Sequence, residues 1–144
     1  VGEGNARSEY EKLIKEKNLE DNFILLGANP NPYPYIKKSD IYVQTSRHEG
    51  YCLTLAEAKC LCKPIVTTNF IGAYEQIENQ INGFIVNQNE DDIYRNIKYI
   101  IDNRDISDKF IKNLEGIILD TTDDVNKLIS YIEWWEELVL WVQK

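Results

Sequence analysis

Two carboxylates, Glu49 and Glu57, stand eight positions apart and bracket the stretch Gly50-Tyr51-Cys52-Leu53-Thr54, which should enter a helix without a cap. A helix opened by Ser, Thr, Asp or Asn has a side-chain oxygen to take up a first-turn N–H group. Positions 51 and 52 hold Tyr and Cys, so those donors lack an obvious side-chain partner. With the positive end of the helix dipole behind them they suit an anion, and Gly50 lets the backbone approach a phosphate closely. Glu57 lies four residues past Leu53, and helical side chains lean toward the N-terminus, which aims its carboxylate at whatever the tip holds. A carboxylate beside an anion is repulsive unless it meets hydroxyls, and as an acceptor-only fork it suits a vicinal diol such as ribose. Glu49, in the loop itself, serves a second set of hydroxyls in the same way. Two hydroxyl readers flanking a phosphate site describe a nucleotide-sugar; the plainer reading is a water-capped helix beside two solvated glutamates.

These residues need a frame that brings a strand end to a helix start. The sequence supplies short apolar strands alternating with helical patterns, the mark of parallel βαβ units in an α/β fold. A helix is expected within Ser8–Lys17, a strand at Phe23–Leu26 stopped by Gly27 and the turn cluster 29–32, and a short helix at Pro32–Lys38. A second strand follows at Ile41–Gln44, then the polar loop Thr45–Cys52 and a helix at Leu53–Leu61, with further strands at Ile65–Thr67 and Phe84–Val86. After Val86 only helices are expected: Asp91–Asp102, Asp105–Leu114, and a long tail helix from about Asp123. In open parallel sheets ligands bind where strand C-termini meet helix N-termini, which puts the loop at 45–52 first. The tail carries Trp134, Trp135 and Trp141 among Ile, Leu and Val, more apolar surface than the ~100° stripe of a surface helix. Packing against a further domain is the preferred account, ahead of sugar stacking or an acidic-faced helix lying on a membrane.

The chain has 144 residues, the size of one domain with one core, and its 43% hydrophobic and 28% charged residues exclude a disordered or fibrous chain. Its formal net charge of -8 argues against binding nucleic acid, whose affinity comes largely from neutralised phosphates. Residues 1–72 hold nine basic and nine acidic side chains, and residues 73–144 seven and fifteen, so an anionic ligand belongs to the first half. Cys52, Cys60 and Cys62 lack the partners of a zinc site and read as small, reduced, buried residues, so no metal is expected. No apolar run reaches the ~20 residues of a spanning helix and no leader is visible, which makes the cytoplasm the expected location.

The run Glu49-Gly-Tyr-Cys-Leu-Thr-Leu-Ala-Glu57-Ala58, followed by Lys63-Pro-Ile-Val66, resembles the Glu-x7-Glu segment of glycosyltransferase family 4, retaining enzymes of the two-domain GT-B fold. Other pieces fall in the family's order. Val1-Gly2-Glu3-Gly4 resembles its Gly-x-Gly and Phe23–Gly27 the segment beside the base; Ser39–Ser46 resembles the strand into the site and Asn82–Val86 the later Asn-Gly turn. The resemblance covers roughly residues 1–100 and implies a Rossmann-like parallel sheet with flanking helices and a helical C-terminal tail, the C-terminal half of a GT-B enzyme. It implies that Glu49 touches hydroxyls of a donor sugar, that Glu57 binds the ribose diol, and that the amides of Gly50, Tyr51, Cys52, Leu53 and Thr54 hold sugar and diphosphate. It also implies that Gly27 and Ala28 line the base, that Gly2 and Gly4 belong to the donor site, and that no metal or other cofactor is needed. Arg47 and His48 adjoin Glu49 within reach of phosphate or sugar, although loop residues of these types are ordinarily solvated.

The pattern departs from the family at Cys52 and Cys62, where Gly is usual, and a Cβ at 52 should narrow the approach to the sugar. The family's preceding strand, its Arg and Lys for the diphosphate and its acceptor-binding N-terminal domain all lie before the point matching Val1. Methionine is absent, so the chain reads as an excised C-terminal domain, inactive alone, whose tail helix would cross back onto the absent domain. The expected activity of the whole is transfer of a hexose or amino-hexose from a UDP- or GDP-sugar to a glycan or lipid-linked acceptor in cell-surface polysaccharide synthesis, with membrane contact only through the full-length protein. A sugar-nucleotide epimerase of GT-B plan and a non-catalytic sugar-nucleotide-binding subunit stay open. A receiver-type signalling domain is disfavoured, because no strand ends in the clustered Asp residues that hold Mg²⁺.

Overall fold

The computed structural model describes residues 1–116. The tail helix expected from Asp123, with its three tryptophans, lies outside the described residues. Helix α1 (Arg7–Glu16) and α2 (Tyr33–Lys38) precede β1 (Tyr42–Gln44); then α3 (Leu53–Cys60), β2 (Ile65–Thr68), α4 (Ile71–Gln76), β3 (Phe84–Val86), α5 (Glu90–Asp102) and α6 (Arg104–Leu114) follow. The strands form one parallel sheet in the order β1-β2-β3, with Tyr42 opposite Ile65 and Val66 opposite Phe84. The α/β reading with a parallel sheet and flanking helices is the observed one.

Alternation along β2 divides the core. All four β2 residues are buried. Ile65 packs on one face with Leu55 and Ala58 of α3, Ala73 of α4, Phe70 and Ile77. Val66 faces the other way, onto Val86, Ile100 of α5 and Phe110 of α6. Successive strand residues point to opposite faces, so a two-residue apolar step in a central strand feeds both layers. Phe110 is fully enclosed and meets Phe84 edge-on, with ring centroids 5.0 Å apart.

Two elements differ from the sequence reading. Phe23–Leu26 is not a strand, because no strand among the described residues pairs with it: its bonds are from Phe23 N to Leu19 O (2.8 Å) and from the Arg7 guanidinium to Leu25 O (3.4 Å), with Gly2 N donating to Gly27 O (2.8 Å) just beyond. Its side chains Phe23, Ile24 and Leu26 are accordingly exposed. Helix α4 was not expected, since Ile-Gly-Ala-Tyr-Glu-Gln is under two turns long and contains a glycine, too short for a 3.6-residue period to register.

Helix α3 ends in a Schellman motif, in which Cys62 N donates to Lys59 O (2.9 Å) and Lys63 N to Ala58 O (3.1 Å). The motif requires a left-handed residue, and Cys62 takes it at φ 52°. Helix α1 closes in the same way with Asn18 at φ 54°. A side chain in that region costs about 1–2 kcal/mol that glycine does not incur. Replacing Cys62 with Gly is therefore expected to raise the unfolding free energy by about 1 kcal/mol, read as a higher urea midpoint at unchanged slope. The cysteines are unpaired, as expected, but only Cys52 is buried; Cys62 is half-buried and Cys60 is exposed, on the outer face of a last turn whose Ala58 and Lys59 are buried.

Candidate functional site

The site is built where β1 ends and α3 begins, at the carboxyl edge of the sheet. Gln44 closes β1, and the loop Thr45–Cys52 is held from beneath by its neighbours. Thr68, at the end of β2, donates its hydroxyl to Ser46 O (2.5 Å) and is 3.3 Å from Gln44 O. Gln88 donates from Nε2 to Arg47 O (3.0 Å). Further on, Gln76 of α4 reaches across with Nε2 to Tyr51 O and to Cys52 O, the latter at 3.3 Å. A Cβ on Gly72, also in α4, would collide with Gly50 O and lie 2.8 Å from Gly50 C, so only glycine lets α4 lie this close to the loop.

The tip of α3 is uncapped. Its N-cap residue is Cys52, which makes no side-chain capping bond, and the first turn carries no acidic side chain. Helix α5 of the same chain is the contrast: Asn89 caps it by accepting from Asp92 N (2.8 Å), and Glu90, Asp91 and Asp92 fill its first turn. Cys52 is left-handed (φ 54°, ψ 78°) and is followed by helical Leu53. A left-handed residue joined to a right-handed one turns successive N–H groups into a shared concavity that binds anions. Among the described residues, the N–H groups of Gly50, Tyr51, Cys52, Leu53 and Thr54 have no protein acceptor. The Cys52 side chain is buried in the core cluster with Leu55, Phe70 and Ala73. The narrowing expected from a Cβ at 52 is thus relieved by inward packing.

Both carboxylates stand beside this tip. Glu49 accepts from Ser46 Oγ (2.9 Å), which accepts from Gln44 Nε2 (2.6 Å), while Gln44 Oε1 accepts from the Tyr42 hydroxyl (2.6 Å) and lies 3.4 Å from Thr54 Oγ1. Glu57 accepts from the Tyr33 hydroxyl of α2 (3.1 Å), a bond that holds the Tyr33 phenol above its ordinary pKa. The Tyr42 phenol is raised chiefly by burial; a hydrogen bond with Thr54 opposes the rise, and Cys52, Glu57 and Glu49 add to it through their charges. Gln44, joined to Glu49 through Ser46, also lines the cleft that holds Glu57, so a short run of polar side chains connects the two acids.

The acids line two separate clefts. Glu57 lines one with Val1, Tyr35, Gln44 and Thr54, and Glu49 and Gly50 line another with Arg47, His48 and Gln88. Gly2 and Gly4 open onto a third cleft walled by Arg7 and Phe23–Leu26. Gly27 (φ 73°) accepts the bond from Gly2 N, and Ala28 beside it is exposed. Sequence reasoning missed Thr68, Gly72, Gln76 and Gln88, whose contacts span 20 residues or more and leave no periodic trace. Among the described residues no group of His, Cys, Asp and Glu could hold a metal ion, and no helix is long and apolar enough to cross a membrane.

The parallel sheet with flanking helices is the fold of GT-B glycosyltransferases. The chain belongs to the glycosyl transferases group 1 family, whose model matches residues 1–137. It is 34% identical over 104 residues to the N-acetylgalactosamine-N,N'-diacetylbacillosaminyl-diphospho-undecaprenol 4-alpha-N-acetylgalactosaminyltransferase of Campylobacter jejuni, covering 71% of this chain and 28% of that protein. It is 32% identical over 120 residues to the poly(ribitol-phosphate) alpha-N-acetylglucosaminyltransferase of Staphylococcus aureus, covering 81% and 24%. A crystal structure of S. aureus TarM with fondaparinux, alpha-GlcNAc-glycerol and UDP superposes with a TM-score of 0.75 at 29% identity, covering 94% of this chain and 27% of that one. The chain thus spans about a quarter of the length of these relatives.

Proposed function

We propose that this chain is the donor-binding half of a retaining glycosyltransferase of family 4, and that the whole protein moves a hexose or amino-hexose from a nucleotide diphosphate sugar to a lipid-linked or polymeric acceptor. The observation that carries the reading is the uncapped, left-handed entry to α3 at Cys52, with Glu49 in the loop before it and Glu57 on the helix after it. In this reading the N–H groups of residues 50–54 take the diphosphate, Glu57 takes the ribose diol and Glu49 takes hydroxyls of the donor sugar. Gly27, Ala28, Gly2 and Gly4 border the base and its approach. UDP is the first base to test, because the TarM structure similar to this chain holds UDP; GDP is the rival.

Catalysis in the whole protein then rests on positioning and on stabilising the departing diphosphate with oriented N–H dipoles while the sugar gains oxocarbenium character. Glu49 orients the sugar. The acceptor is bound by residues outside this chain, so the chain alone binds donor weakly and turns nothing over. The work takes place in the cytoplasm, and contact with the membrane face belongs to the full-length protein.

The test is to incubate the full-length protein with labelled UDP-N-acetylhexosamine or UDP-hexose and a lipid-linked or polyol-phosphate acceptor. Label in the acceptor with the donor's anomeric configuration is the expected result. An epimerised nucleotide-sugar favours the epimerase, tight donor binding without turnover favours the subunit, and no binding of UDP- or GDP-sugar contradicts all three.

A narrower expectation concerns Glu57. A charge-assisted bond to a hydroxyl is worth about 1.5–3 kcal/mol, so Glu57→Ala in the full-length protein should weaken UDP binding by roughly ten- to a hundredfold. The same variant should bind 2′-deoxy-UDP and UDP equally, whereas the parent protein should prefer UDP; titration calorimetry with both nucleotides checks this.

A further inference from the structure

Gln76 is the one described residue with a buried side-chain atom that lacks a hydrogen-bond partner. It is 5% exposed, its Oε1 is unpartnered, and its Nε2 is committed to Tyr51 O and Cys52 O. An orphaned buried acceptor costs about 1–3 kcal/mol, which an apolar side chain of the same size would avoid. As a core residue Gln76 is a poor choice, and its two bonds are what distinguish it from a better one.

Those bonds have a geometric consequence. None of the peptide bonds is cis, so within each peptide plane the C=O and the following N–H point in opposite directions. Holding Tyr51 C=O against α4 turns the N–H of Cys52 away from α4, whereas Cys52 C=O also accepts from Leu55 N (3.0 Å) and Ala56 N (3.4 Å), so the helix itself fixes the N–H of Leu53. These two amides are the first members of the concavity formed at the left-handed Cys52. Without the amide of Gln76, Tyr51 O has no protein donor among the described residues, and the plane between 51 and 52 is free to rotate.

We infer that Gln76 is a positioning residue for the diphosphate: it acts through the peptide plane 51–52 and presents the N–H of Cys52 to the anion without touching it. This rests on the donor-binding reading above. Its signature is selective. It governs the increment in affinity that the diphosphate adds to the nucleoside and leaves the nucleoside itself alone.

The test uses the full-length protein with Gln76→Met, which keeps length and volume but removes the donor, and measures Kd for UDP and for uridine by calorimetry alongside a thermal melt. The expected result is a loss of about tenfold in UDP affinity with uridine affinity unchanged within twofold. A purely structural role would weaken both ligands together, and an unchanged ratio of UDP to uridine affinity overturns the inference. Gln76→Leu, close in size, uncharged and without the amide donor, is the second variant should Gln76→Met fail to fold, and is expected to lose the same increment. If the parent protein binds neither UDP nor GDP, the donor-binding reading falls first; if it binds UDP and both variants keep the parent ratio, the role of Gln76 alone is refuted.

Discussion

Replacing Glu49 with Ala in the full-length protein is expected to lower kcat/KM for sugar transfer by about a hundredfold or more, with UDP affinity held within about threefold and the melting temperature unmoved. The reasoning separates three roles that one site usually mixes. Glu49 is exposed and among the described residues its one hydrogen bond is from Ser46 Oγ, so its removal takes little from the fold. It lies in the loop before the α3 tip and not on the helix that carries Glu57, so the ribose and diphosphate contacts survive. What is lost is the acceptor for the sugar's own hydroxyls, and a mispositioned sugar reacts slowly even when its nucleotide is bound in full. Steady-state kinetics and UDP calorimetry on the same preparation separate these terms. A parallel fall in UDP affinity would move Glu49 to the nucleotide; unchanged turnover would remove it from the site.

Gly72→Ala should have the second large effect, and with a sign that helix propensity alone gets wrong. Alanine within a helix is favoured over glycine by about 1 kcal/mol, and Gly72 sits inside α4 with an ordinary helical backbone. Propensity therefore predicts a more stable protein. The close approach predicts the reverse, because the new Cβ would collide with the Gly50 carbonyl, which is backbone and has no rotamer to yield. Overpacking of this kind costs about 1–3 kcal/mol. Relief comes only by moving α4 or the loop, and moving the loop displaces the amides at 50–54. We expect a lower urea midpoint and at least a tenfold loss of UDP affinity, and a stabilised variant with unchanged UDP binding would refute the contact.

Much of the local structure at the α3 entry was legible from sequence, because its causes are local. The absence of a capping residue at 51 and 52, the glycine at 50 and the four-residue step from Leu53 to Glu57 are all readable without a fold, and each describes the tip of α3 as it stands. The substitution of Cys for the family's Gly at 52 and 62 was visible as well, but its meaning was not. Both positions are left-handed, which explains the usual glycine, and Cys52 meets the demand while burying its thiol. What stayed hidden was long-range. Thr68, Gly72, Gln76 and Gln88 hold the loop from elements 22 to 41 residues away, through one or two hydrogen bonds each or one close approach, and no periodicity records such contacts. Phe23–Leu26 shows the converse: its composition is that of a strand, yet a strand exists only with a neighbour to pair with.

The central claim is that the N–H groups at the entry to α3 receive the diphosphate of a sugar nucleotide. A crystal structure of the full-length protein with UDP tests it most directly. The account predicts phosphate oxygens within hydrogen-bond distance of the N–H groups of Cys52, Leu53 and Thr54, with the ribose hydroxyls on Glu57. UDP bound elsewhere, or bound with its ribose on this tip and its phosphates turned away from it, would contradict the account.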